Sequence, residues 1–144
     1  MTDPIQLASD RFAHGFNCAQ AVLSAFAAEA GLSEESALKL ASPFGGGIAR
    51  QGQICGALSG ALMAFGLQRG NADPKDKDET YRKSQELVRA FQKQHGSILC
   101  RELLGYDLST PEGLQAAQEG KVFATVCPAL VSGAAEALAE MLKK

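Results

Sequence analysis

At 144 residues with 46% apolar side chains, the chain is about one domain long and can fill one core, so a single domain over 1–144 is expected. Its formal net charge is −2 with acids and bases interspersed, which offers no basic face to nucleic acid. No apolar run reaches the roughly 18 residues of a membrane span and the opening Met-Thr-Asp-Pro is unlike a signal peptide, so no membrane span and a cytoplasmic location are expected.

Apolar positions recur at three and four with almost no β-branched run, which predicts an all-α fold: a helical bundle of about five long and two or three short helices. Residues 4–14 fit the first helix, with Ile5, Ala8 and Phe12 inward, and Gly15 ends it. Asn17 with Gln20 three residues on is a box-like cap, so Cys18 becomes the first residue of a second helix to about Ala30, stopped by Gly31. Ser33 caps a third, with Glu34 and Glu35 in its positive first turn, and Pro43 requires that it end beforehand.

The stretch Phe44 to Gly60 departs from this regularity. Gly45, Gly46 and Gly47 cannot hold regular structure cheaply, so something beside them needs the space or the backbone freedom. A helix from about Gln53 to Gln68 follows, with Cys55 in its first turn and small residues, Gly56, Gly60, Ala57, Ala61 and Ala64, that leave room for a close helix crossing, a dimer seam or a bound group. Asp73 and Pro74 open the longest helix, to about Gln94, with Tyr81, Leu87, Val88 and Phe91 as its apolar stripe and the charged run as its solvated face. Gly96-Ser97 restarts the chain so that Cys100 lies in the first turn of a short helix, and Thr110-Pro111 begins another. Cys127 before Pro128 suits the cap of a last helix, Pro128 to Leu142.

Each of the four cysteines, Cys18, Cys55, Cys100 and Cys127, thus falls at or near a helix start, where unpaired N–H groups favour a thiolate. In a reducing compartment they read as metal ligands or catalytic thiols before they read as a disulfide framework. No C-x2-C pair is present, so a shared site must come from tertiary folding. Two thiolates about 4 Å apart repel by about 4 kcal/mol at an effective dielectric of 20. Four converging sulfurs must therefore bind a metal or cluster, become oxidised, or stay mostly protonated. The bland alternative is four small core residues.

These residues carry a family resemblance. Cys18, then Cys55-Gly56-Ala57-Leu58-Ser59-Gly60, then Cys100 and Cys127, with Phe44-Gly45-Gly46-Gly47 and Arg50, resemble the C_GCAxxG_C_C family over nearly the whole chain. The resemblance implies a small, mostly helical protein with a redox role and no assigned reaction. The expected site is Cys18, Cys55, Cys100 and Cys127 as redox thiols or metal ligands, with Gly45, Gly46, Gly47, Arg50, Gly56 and Gly60 around a cofactor. Soft thiolates select an iron–sulfur cluster, zinc or Cu(I). A cluster is the preferred cofactor, zinc is disfavoured by the missing short-range ligand pair, and a metal-free dithiol/disulfide relay is the other redox form.

A redox partner protein or small molecule follows from that reading, and a homodimer through the glycine face is a further expectation. The competing reading is a non-redox binding or assembly module whose cysteines are core. A phosphate cradle at the glycine loop lacks the strand and the Lys-Ser/Thr pair it needs. His14 and His95 lie near helix C-termini, which explains them without ligation, and Arg50 and Arg101 would stabilise a thiolate or an anionic cluster beside them or are ordinary surface arginines.

Overall fold

The computed structural model describes residues 3–144, and among them the regular structure is all helical, with no strand. In chain order the helices are α1 (Pro4–Ala13), α2 (Cys18–Ala27), α3 (Glu34–Ala41), α4 (Gly56–Arg69), α5 (Lys77–His95), α6 (Cys100–Leu104), α7 (Pro111–Glu119), α8 (Val122–Thr125) and α9 (Cys127–Lys143). Single 3₁₀ turns extend α2 and α3 and precede α5. The caps explain most boundaries. Asp3 accepts from the Ile5 N–H ahead of Pro4, Asn17 and Gln20 form a reciprocal box, and Ser33 and Thr110 accept from the backbone three residues on. Gly31, Gly96 and Gly105 close helical segments in the left-handed conformation.

α2 is the hub, buried along nearly its whole length and packed on α1, α3, α4 and α9. Its crossing with α4 is close because of one absent side chain: a Cβ on Gly60 would lie 2.6 Å from the Ala19 carbonyl oxygen. The small-residue face of α4 is therefore a helix crossing within the chain, and not an open seam for a second copy. Leu130, Val131, Ala134, Ala135 and Leu138 of α9 complete the core from the other side, against α1, α4 and α5. The α8–α9 stretch Val122–Lys143 is long and apolar enough to cross a membrane by length and composition alone, a test that buried core helices also pass. In this fold its apolar side is occupied by other helices.

Three expected details change. Tyr81 is 59% exposed, so the buried stripe of α5 consists of Leu87 and Phe91, with Val88 half-buried. Gln53 and Ile54 are not helical, because an isolated antiparallel bridge joins Ile54 to Leu99. The Cys55 N–H donates to the Ile98 carbonyl (2.8 Å) and the Cys100 N–H to that of Gln53 (2.7 Å), which leaves Cys55 at the N-cap of α4. Finally, α9 begins at Cys127, and α8 is a turn that the sequence pattern does not announce.

Candidate functional site

The segment between α3 and α4 runs through a left-handed turn. Gly46, Gly47, Ile48, Ala49 and Arg50 have φ of 66°, 73°, 65°, 50° and 62°, and Gly52 has 71°. For a residue with a Cβ that conformation costs roughly 1–2 kcal/mol, so Ile48, Ala49 and Arg50 together carry several kcal/mol of local strain. Backbone bonds hold it in place: Ala49 N–H to Pro43 (2.7 Å), Arg50 to Gly45 (3.0 Å), Gly52 to Gly46 (3.1 Å) and Gln53 to Gly47 (2.9 Å). Gly47 is required twice over, since its φ is positive and a Cβ there would sit 2.6 Å from the Gln53 nitrogen and 2.7 Å from Cβ of Cys100. Gly45 instead allows close approach, its missing Cβ lying 2.8 Å from Asn17.

This turn walls a cavity of about 910 Å³ onto which all four cysteines open. Cys18, Cys100 and Cys127 are the first residues of α2, α6 and α9. Cys18 is half-buried, whereas Cys55, Cys100 and Cys127 are 3%, 6% and 4% exposed. Gly45, Gly46, Gly47, Arg50 and Gly56 line the same space. Gly60 does not, because it is spent on the α2 crossing. Much of the remaining wall is apolar, with Phe12, Phe16, Phe123, Leu104, Leu108 and Leu130. The aromatic wall had no motif to mark it in the sequence, since Phe16 and Phe123 sit in or beside short connections.

The electrostatics divide the thiols into two kinds. Burial pushes the Cys55 thiol up to about 11, even though the N–H groups of Ala57 and Leu58 oppose it from the start of α4. Cys100 is pushed up to about 12 by burial and then by the neighbouring Cys55 and Cys127. Cys18 is raised first by hydrogen bonding to the Cys127 side chain, then by burial. The same bond lowers Cys127, against the opposing effect of its burial. In that pair the charged form is favoured at Cys127 over Cys18. The expectation that every helix start favours a thiolate is thereby corrected: a helix end supplies at most about 2 kcal/mol, and for Cys55 and Cys100 desolvation exceeds it.

All four cysteines are free thiols. Among the described residues no three of His, Cys, Asp and Glu are grouped so as to hold a metal ion. A metal bound at Cys55 or Cys100 would have to displace the proton that burial keeps on each thiol. His14 donates from Nδ1 to the Asp10 carbonyl (2.6 Å), and His95 packs against Phe91 with ring centroids 4.5 Å apart and the rings tilted by 49°. Neither histidine lines the cavity, nor does Arg101, which packs beside Gly52.

A family model described as "Putative redox-active protein (C_GCAxxG_C_C)" matches residues 16–141. No curated protein and no solved structure matches the chain.

Proposed function

The chain belongs to the C_GCAxxG_C_C family, and from that premise we propose that it is a dithiol/disulfide redox protein in which Cys127 is the attacking thiolate and Cys18 the resolving thiol. One observation carries the reading: Cys18 and Cys127, far apart in the sequence, head the contacting helices α2 and α9 and open onto one cavity, where their interaction raises one thiol and lowers the other. Thiol–disulfide exchange needs that asymmetry, since the thiolate attacks while a proton must be kept nearby for the leaving sulfur. Cys127 attacks a disulfide sulfur, a mixed disulfide forms, and the departing thiolate takes the Cys18 proton. The Cys18 thiolate then attacks the Cys127 sulfur and releases the second sulfur as a thiolate, which takes its proton from solvent. Two cysteines are oxidised and one disulfide is reduced to two thiols. Cys55 and Cys100, held protonated, keep further negative charge out of the cavity.

Anaerobically purified, fully reduced protein should lose two titratable thiols per equivalent of oxidant, and peptide mapping should identify a Cys18–Cys127 disulfide. Cys18→Ser should stop the reaction at a mixed disulfide on Cys127, and Cys127→Ser should abolish it. Visible absorbance with stoichiometric iron and acid-labile sulfide in the anaerobic protein would overturn this reading in favour of the iron–sulfur cluster. Unchanged thiol counts under oxidant, in metal-free protein, would favour the non-redox module.

A further inference from the structure

We propose that the cavity is a binding site for a low-molecular-weight disulfide with an apolar, preferably aromatic body and a carboxylate that pairs with Arg50. The inference rests on the dithiol reading for the reaction and on separate observations for the ligand. At about 910 Å³ the space is near the upper end of small-molecule pockets, roughly 300–1,000 Å³, and far exceeds what two thiols need to meet. Phe12, Phe16, Phe123 and Leu130 supply apolar walls for the body.

Charge then selects the head group. Among the described residues that line the cavity Arg50 is the one cationic side chain, and no Asp or Glu opposes it. The polar groups of Asn17 are already engaged, its side-chain oxygen by the Gln20 N–H and its amide by the Ser42 carbonyl. The strained turn gives Arg50 its place. Three successive left-handed residues carry the chain around the mouth, and a Cβ on Gly46 would lie 2.8 Å from Cγ of Arg50, so the glycine leaves room for the arginine stem to fold over the loop. Exposed Gly15, Pro43 and Ala49 also line the cavity, which opens to solvent on that side. Cys127 is recessed at 4% exposure, a position that a small molecule reaches more readily than a disulfide on a folded protein surface. The exchange is the one written above: R–S–S–R′ and two cysteine thiols give RSH, R′SH and the Cys18–Cys127 disulfide.

The test compares 5,5′-dithiobis(2-nitrobenzoate), an aromatic carboxylate disulfide, with neutral 2,2′-dithiodipyridine on anaerobically reduced protein. Arg50→Gln keeps a side chain on the same left-handed backbone. It should slow the carboxylate disulfide at least about tenfold relative to the neutral one, with Arg50→Lys intermediate because it keeps charge without the planar fork. A second measurement is independent of sulfur chemistry: 5-methylthio-2-nitrobenzoate, which has no disulfide, should bind the Cys18→Ser/Cys127→Ser protein saturably, and Arg50→Gln should weaken that binding by a similar factor. An unchanged rate ratio in Arg50→Gln, or no saturable binding of the thioether, overturns the ligand assignment. Arg50-dependent binding of the thioether without a Cys18–Cys127 disulfide in the reacted wild type would sustain the ligand class while removing the dithiol reading.

Discussion

The two sides of the thiol cavity are built in opposite ways. On one, Cys18 and Cys127 head α2 and α9, two core helices in mutual contact, and their interaction raises the Cys18 thiol and lowers Cys127. On the other, Cys55 and Cys100 are joined through their backbones by the Ile54–Leu99 bridge and backed by the left-handed turn, while their sulfurs are buried and protonated. On the first side one thiol is lowered and its neighbour raised, whereas on the second both are raised by burial. The comparison teaches that a helix start does not by itself activate a thiol. A second sulfur willing to donate its proton separates Cys127 from the other three.

The largest effect should come from breaking the looped side. Gly47→Val combines a left-handed β-branched residue with overlap on the Gln53 backbone and on Cys100, and should destabilise by about 4 kcal/mol in urea unfolding. Gly31→Val, where φ is also positive but nothing lies within 4 Å, should cost about half as much. Equal losses at the two sites would remove the steric part of the argument.

The next test uses pH. A thiol whose folded value is raised stabilises the fold at pH values below its unfolded value near 9, and that contribution disappears as pH rises toward the folded value. For Cys55, two pKa units correspond to about 3 kcal/mol, lost between about pH 9 and pH 11. Cys55→Ala should therefore show a shallower alkaline loss of stability than the wild type. Alkylation at pH 8 offers the kinetic counterpart, with Cys127 modified first and Cys55 and Cys100 slowest, as read by mass spectrometry of the native protein. Simultaneous labelling of all four would erase the distinction between the two sides.

The smallest effect should be a gain. Ala49→Gly relieves one left-handed non-glycine residue on an exposed part of the turn, and the relief exceeds the added chain entropy, so stability should rise by about 0.5–1 kcal/mol. A loss would mean that Ala49 is not strained.

Much of this architecture was legible in local chemistry. The Asn17–Gln20 box, the Ser33 and Thr110 caps and the Gly31 and Gly96 stops act over three or four residues, and the box puts Cys18 at a helix start before any tertiary contact is considered. The glycine loop was legible as an irregularity, yet its handedness was not, because Ile48, Ala49 and Arg50 have no intrinsic preference for positive φ. Tyr81 in the expected stripe of α5, and Gly60 in the expected ring around a cofactor, went astray because periodicity identifies a face without saying what lies opposite.

By itself, then, the sequence determined where helices begin and end, that they are apolar on one side, and which residue stands at each tip, since hydrogen bonds between near neighbours govern those outcomes. Only the tertiary structure decided that α2 and α9 bring Cys18 and Cys127 together, that burial overrides the helix dipole at Cys55 and Cys100, and that Arg50 is the one cation among the described residues lining the cavity. Desolvation and sulfur–sulfur bonding depend on atoms distant along the chain, and they enter only when the core has closed around them.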